Sequence, residues 1–237
     1  MNAADDRERP APAAGHRAAE KHHAGHRERL RRRFLTVGPD SLADYELLEL
    51  LLFAGLPRRD VKPLAKRLLE DFGSLGGVLT ADPAQLERRA GLRPATVATL
   101  KAVAAAAQRM LREEAAARPV IGAWSQLLDY LSVAMKYERA EQFRLLFLDR
   151  RNLLIADEVQ QRGTVDHAPV YPREVVKRAL ELGATALILV HNHPSGDPTP
   201  SRDDIAMTRT VAEALNAVNV ALHDHVIIGR QGHASFR

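Results

Sequence analysis

The chain has 237 residues, of which 46% are hydrophobic and 27% charged, and this globular composition excludes wholesale disorder and fibrous repeats. It contains no cysteine, which excludes disulfides, thiolate metal ligands and cysteine nucleophiles. No stretch approaches the roughly 18 apolar residues of a membrane span, and no apolar signal segment is visible, so we expect a soluble, cytoplasmic protein without a membrane partner.

The formal net charge of +4 lies in the first segment of the chain. Residues 1–34 contain nine basic and five acidic side chains, whereas the remaining residues contain 25 of each kind. Phosphate binding needs a basic face on the folded body, so this distribution is weak evidence for nucleic-acid binding. Residues 1–27 are rich in Ala, Pro, Gly and charge, which predicts a disordered basic tail.

The segment from residue 28 to residue 117 is expected to form an all-α domain. Apolar residues recur there at helical spacing, and Gly or Pro punctuates the ends of successive helices. The expected helices cover about residues 41–55, 61–72, 75–79, 83–89 and 94–117.

Residues 120–237 have a different pattern, in which helices alternate with short apolar runs. The expected helices are 124–135, 172–182 and 201–217, and the expected strands are 143–148, 152–159, 186–190 and 221–228. Short apolar runs between helices are typical of buried strands. This half should therefore be an α/β domain, with a mixed sheet flanked by helices.

The chemistry is concentrated in the segment HNHPSGDPTPSRDD, which begins at His191 where a buried strand ends. Side chains at alternate positions of a strand share a face, so His191 and His193 should point the same way. Asp204 lies in the first turn of the following helix and could turn back to the two imidazoles. Two His nitrogens and one carboxylate leave a fourth position open, as in catalytic zinc sites.

Simpler interpretations of these residues remain open. Asp204 could serve only to stabilise the helix N-terminus, and Ser201 could be only its N-cap. A His-x-His pair also occurs by chance, and the chain has a second pair at His223 and His225.

The combined pattern H-x-H-P-x6-S-x2-D resembles the signature of JAMM (MPN-plus) zinc metalloproteases, which cleave peptide and isopeptide bonds. With YPREVV upstream and LHDHVIIG downstream, residues 28–237 resemble the bacterial RadC family. The resemblance implies an MPN α/β/α sandwich, one Zn²⁺ held by His191, His193 and Asp204, and a peptide or protein substrate. It also implies that Ser201 helps hold the oxyanion or the attacking water.

The resemblance further implies a glutamate ahead of the first strand. It would act on the attacking water as general base and then on the leaving amine as acid. Glu141 occupies that place in EQFRLL, Glu158 on the second strand is the alternative, and Glu174 is a more distant one. For the second His-x-His pair, His225 is interpreted as a buried core histidine that could lie behind the metal ligands, and His223 is left out of the site.

In the helical half the resemblance implies a helix-hairpin-helix segment that binds DNA phosphates through backbone amides. Gly91 is present there, but Arg93 stands where the second glycine of the Gly-h-Gly turn is expected. A weak DNA contact and a hairpin that only packs helices both remain open. The leading hypothesis is a zinc-dependent hydrolase, and the alternative is a DNA-associated repair or accessory protein with a structural or vestigial zinc site.

Overall fold

A computed structural model describes residues 14–57, 59–162 and 170–237. The chain divides into two compact units, one up to Lys101 and one from Ala102 onward. The division lies inside a long helix, whereas the sequence pattern placed the boundary between residues 117 and 120. Within the part of the chain described, no helix combines the length and apolar character needed to cross a lipid bilayer.

Over the residues that the structure describes, the first unit is built from helices alone. Its helices are α1 (Ala14–Val37), α2 (Asp44–Gly55), α3 (Lys62–Phe72), α4 (Leu75–Thr80), α5 (Pro83–Ala90) and the first part of α6 (Pro94–Ala116), with a 3-10 turn at Pro39–Ser41. Its core includes the fully buried leucines Leu48, Leu52, Leu68 and Leu100. The predicted N-terminal helical region is confirmed.

Helix α1 differs from the disordered tail expected over residues 1–27, because it begins at Ala14; residues 1–13 lie outside the described part. Arg27 shows how a polar segment can be held in place. Its guanidinium donates to the carbonyls of Leu56 and Arg59 at 2.5 and 2.6 Å and lies 4.4 Å from the centre of the Phe53 ring. Composition reveals polar residues but not such tertiary partners.

The second unit contains one five-stranded sheet. The elements are α7 (Trp124–Met135), β1 (Gln142–Leu148), β2 (Leu154–Arg162), α8 (Pro172–Leu182), β3 (Ala186–Asn192), α9 (Arg202–Asn216), β4 (Ala221–Gly229) and β5 (Gly232–Ser235), preceded by a 3-10 turn at Val120–Ala123. The strand order is β2-β1-β3-β4-β5, and among the strands described only β3 and β4 run parallel. The predicted mixed sheet is confirmed, with β5 as an additional edge strand.

The two faces of the sheet are covered by different helices. Leu146 and Val190 belong to one apolar cluster with Leu127 of α7, whereas Leu145 and Leu189 belong to another cluster that α8 and α9 complete. Because successive strand residues point to opposite faces, β1 and β3 in the centre of the sheet present apolar side chains on both. This is an α/β/α arrangement.

Candidate metal centre

The three predicted zinc ligands meet at one end of the sheet. His191 is the second-last residue of β3 and is completely buried, and His193 follows the strand end. The backbone N–H of His193 donates to the carbonyl of Ile228 at 3.0 Å, which ties the loop after β3 to the end of β4. Asp204 comes from the first turn of α9, so one strand end and one helix start supply the whole set.

The distances between the polar atoms are short enough for a single ion. The Nε2 atoms of His191 and His193 are 2.9 Å apart, and the Asp204 carboxylate lies 3.2 Å from the first and 3.5 Å from the second. One ligand atom from each residue lies within 4.8 Å of the others. Among the described residues, no other group of three metal-binding side chains comes together in this way.

Asp204 is aimed by the cap of its own helix. Ser201 is the N-cap of α9, and its hydroxyl accepts from the N–H of Asp204 at 3.1 Å. In return the N–H and the hydroxyl of Ser201 donate to Oδ2 of Asp204 at 2.7 and 2.6 Å. This capping box occupies one carboxylate oxygen and leaves Oδ1 directed at His191.

The structure therefore shows Ser201 as the N-cap of its helix, which was the simpler of the two interpretations. Its one hydroxyl proton is donated to Asp204, so it holds a predicted metal ligand in place. A contact with an oxyanion requires that proton to turn toward the substrate, and this role stays a prediction.

Hydrogen bonds between the histidines and Asp204 shift the pKa values of the site. Burial alone would raise the pKa of Asp204, but hydrogen bonding with His191, His193 and Ser201 outweighs burial and holds this pKa well below its usual range. The pKa of His193 is raised, chiefly by its hydrogen bond with Asp204 and, to a smaller extent, by the nearby charge of Glu141. An ionised carboxylate is the form in which Asp204 can bind a cation.

The donor set fits zinc. His193 Nδ1 donates to the carbonyl oxygen of Asp197 at 2.9 Å, because a carbonyl can only accept. The neutral ring consequently has its lone pair on Nε2, the atom that faces His191 and Asp204. Two imidazole nitrogens and one carboxylate with a free fourth position are the ligands of a catalytic zinc centre.

Glu141 lies next to this set, directly before β1. Phe143 pairs with His191 across the antiparallel β1–β3 ladder, so continuing the register by two residues places Glu141 opposite His193. The same alternation puts both on the face that carries the ligands. The effect of its charge on the pKa of His193 is consistent with this position.

The two alternative glutamates lie elsewhere. Glu158 of β2 forms a bidentate pair with Arg178 of α8, with contacts of 2.6 to 3.1 Å, and this hydrogen bonding lowers the pKa of Glu158 despite partial burial. Glu174 lines the same shallow surface cleft between β2 and α8. None of the three predicted zinc ligands lines that cleft.

The second His-x-His pair divides between two roles. His225 of β4 is completely buried, and its Nε2 lies 2.8 Å from Nδ1 of His191. Burial lowers its pKa to about 3, so the ring is neutral. His223 instead contacts the side chain of Asn152 at 2.6 Å.

Sequence reasoning missed Thr208, whose hydroxyl lies 2.6 Å from Nδ1 of His225, although its spacing of one helical turn from Asp204 was visible.

The loop that follows His193 needs two glycines. Gly196 has φ of 97°, a left-handed conformation that favours glycine, and a Cβ on Gly229 would lie 2.4 Å from the carbonyl oxygen of Gly196. Arg230 closes the contact by donating to the carbonyl of Ser195 at 2.8 Å. The loop is thereby fastened to the end of β4, beside the ligands.

The predicted hairpin in the helical unit joins α5 to α6. Gly91 ends α5 in a left-handed conformation, and its N–H donates to the carbonyls of Glu87 and Leu86. The next N–H, that of Leu92, also donates to the carbonyl of Leu86. Pro94, at the start of α6, has no N–H. The turn thus uses its first amides for helix capping, and the DNA contact stays a prediction.

Comparison with known proteins finds matches to both units of the chain. A family model described as "RadC-like JAB domain" matches residues 121–237, and one described as "UPF0758 N-terminal" matches residues 22–98. A Rhodobacter capsulatus protein described as "UPF0758 protein" is 62% identical over 208 residues, which cover 88% of this chain and 97% of that protein. The likeness extends through both units and confirms the resemblance inferred from the HNHPSGDPTPSRDD motif: the chain belongs to the RadC family.

Proposed function

We propose that this protein is a zinc-dependent hydrolase that cleaves a peptide or isopeptide bond. The observation that carries the proposal is the convergence of His191, His193 and Asp204, whose ligand atoms lie within 4.8 Å of one another. Membership of a family with a JAB domain is compatible with hydrolase chemistry. A glutamate beside the ligands supplies the proton acceptor that hydrolysis requires.

The residues divide the work of the reaction. His191 and His193 would hold zinc through Nε2, and Asp204 would hold it through its carboxylate. The bound ion would supply a Lewis acid for the scissile carbonyl and would lower the pKa of the attacking water. Glu141 would take a proton from that water and deliver it to the leaving amine. Ser201 keeps Asp204 aligned and would support the oxyanion by turning its hydroxyl proton toward the substrate.

The proposal is tested by zinc analysis and a peptide and isopeptide library screen, followed by Glu141→Gln. Glutamine keeps the shape of glutamate but cannot accept the proton, so zinc content should stay at the wild-type level. Hydrolysis should fall by about two to four orders of magnitude, the usual effect of losing a positioned general base. Glu138→Gln, three residues earlier and exposed, is the matched control and should change neither quantity.

Two results would contradict the proposal. The first is a wild-type protein that contains no zinc when purified without chelators. The second is a protein that binds zinc but hydrolyses no member of either library, which would favour the non-enzymatic, DNA-associated function. In that case DNA affinity should fall with salt and persist after deletion of residues 1–13, since the deletion leaves α1 intact.

A further inference from the structure

We propose that Thr208 and His225 act as positioning residues that fix the tautomer of His191, so that its Nε2 presents a lone pair to the metal. The inference rests on the proposed metal centre but concerns residues that do not touch the metal. It assigns a purpose to the buried histidine of the second His-x-His pair. It also gives one to a threonine on α9 that has no place in the ligand set.

The geometry is a continuous chain of short contacts. The Thr208 hydroxyl lies 2.5 Å from the backbone carbonyl oxygen of Asp204 and 2.6 Å from Nδ1 of His225. On the other side of that ring, Nε2 of His225 lies 2.8 Å from Nδ1 of His191. The remaining nitrogen of His191, Nε2, faces His193 and Asp204.

Proton counting gives this chain a direction. The carbonyl of Asp204 can only accept, so the single hydroxyl proton of Thr208 is donated to it. The hydroxyl oxygen must then accept a proton from Nδ1 of His225, which leaves Nε2 of that neutral ring as an acceptor. His191 consequently carries its proton on Nδ1 and has its lone pair on Nε2, as metal binding requires.

The opposite direction would prevent metal binding. Thr208 would donate to His225, His225 would donate to His191, and the proton of His191 would point at Nε2 of His193, 2.9 Å away. This arrangement would leave the oxygens of Thr208 and Asp204 2.5 Å apart with no proton between them. The chosen direction leaves the Nε2 lone pairs of His191 and His193 2.9 Å apart, where a metal ion would lie between them. The contact between the threonine and the carbonyl therefore selects the direction that favours metal binding.

Aromatic packing keeps the rings in these orientations. The ring of Phe143 stacks on His191 with centroids 5.9 Å apart, and Phe236 stacks on His225 at 4.7 Å. Both histidines are completely buried, so neither ring can rotate toward water to exchange its partners. The tautomer is thus set by three hydrogen bonds and by packing.

The direct test is a long-range ¹H–¹⁵N correlation spectrum of the histidine rings in the metal-free, full-length protein. It is recorded at alkaline pH, so that the histidine rings are neutral. We expect His191 and His225 both to carry their proton on Nδ1. A proton on Nε2 of His225 would overturn the inference, whatever the protein then does with zinc or with a substrate.

The second test uses zinc affinity, measured by competition with a chromophoric chelator. Thr208→Val preserves shape but removes the hydroxyl, and should weaken zinc binding about 10- to 100-fold, the usual effect of losing such a partner. Thr208→Ser should restore it. Thr210→Val is the matched control, because Thr210 makes the same bond to a carbonyl one turn back, that of Ala206, with no histidine attached.

Equal zinc affinity in Thr208→Val and Thr210→Val would overturn the inference. A loss in Thr208→Val that Thr208→Ser does not restore would also count against it, since shape alone would then explain the effect. If wild-type protein binds no zinc while His225 carries its proton on Nδ1, the proposed function fails and the tautomer assignment stands.

Discussion

The side chain of Asn192 is hydrogen-bonded to the backbone on both sides of Glu141. Its carbonyl oxygen accepts from the N–H of Gln142 at 2.8 Å, and its amide nitrogen donates to the carbonyl of Ala140 at 3.2 Å. Asn192 is 1% exposed and points away from the face used by the histidines on either side of it. One residue of β3 therefore fixes the segment that carries the predicted general base relative to the predicted ligands.

Replacing Asn192 with alanine should lower turnover by up to about 100-fold, because a misplacement of roughly 1 Å at a reacting group can have an effect of that size. Zinc should remain bound, since no ligand is changed. The loss of buried hydrogen bonds should also lower the free energy of unfolding by about 1–3 kcal/mol. Turnover, zinc content and urea unfolding are measured on one preparation, and a parallel loss of zinc and turnover would mean that Asn192 acts on the ligands instead.

His191→Ala and His193→Ala should each lose zinc while the protein stays folded. Two remaining ligands are too few for a tight zinc site, and both histidines lie at the end of β3 instead of its apolar middle. Metal analysis after gel filtration measures the zinc content, and circular dichroism checks the fold.

His223→Ala is the control for the two ligand variants. His223 lies on β4, and its ring contacts the side chain of Asn152. Because Asn152 is not one of the predicted ligands, His223→Ala should leave the zinc content unchanged. An empty site in His223→Ala together with a full site in His193→Ala would reverse the assignment of the two His-x-His pairs.

The convergence of His191, His193 and Asp204 could be predicted because it depends on local periodicity. Alternation along β3 brings His191 and His193 to one face, and the helix start predicted near Ser201 brings Asp204 back to them. The choice of Glu141 came from the family resemblance, since spacing alone could not distinguish it from Glu158. The strand order that places Glu141 opposite His193 was not predicted.

Contacts between distant segments could not be predicted from the same patterns. Helix α1 is anchored by Arg27, whose partners are carbonyls 29 and 32 residues further along the chain. The approach of Thr208 to His225 likewise depends on how α9 packs on β4. Polar residues of these types are usually solvated, so composition alone favours a disordered tail and an isolated core histidine.

Ser201→Ala separates the helix cap from the oxyanion contact implied by the family resemblance. Loss of the cap should lower the free energy of unfolding by about 0.5–2 kcal/mol. Zinc affinity should weaken because the Ser201 hydroxyl no longer donates to the Asp204 carboxylate or accepts from the Asp204 N–H. If Ser201 also supports the oxyanion, turnover at saturating zinc should fall even under conditions in which the variant is fully folded. Turnover equal to that of the wild-type protein under those conditions would limit Ser201 to aligning Asp204.

The last prediction concerns Glu158 and its pair with Arg178. The pair is partly exposed, with 34% and 39% of the two side chains accessible, so Glu158→Gln should cost at most about 1 kcal/mol at neutral pH. Its hydrogen bonds with Arg178 lower the pKa of Glu158 despite burial, which means that the folded state favours the ionised form.

This stabilisation is therefore present above the unfolded pKa of about 4.3 and is lost as the pH falls through the lower folded value. Urea unfolding of wild-type protein and Glu158→Gln should consequently give curves that differ at neutral pH and converge in acid. Zinc content and turnover should match the wild type, as they should in Glu174→Gln, which alters the same surface cleft. A Glu158→Gln variant that holds zinc but no longer hydrolyses substrate, beside an active Glu141→Gln, would transfer the base role to Glu158.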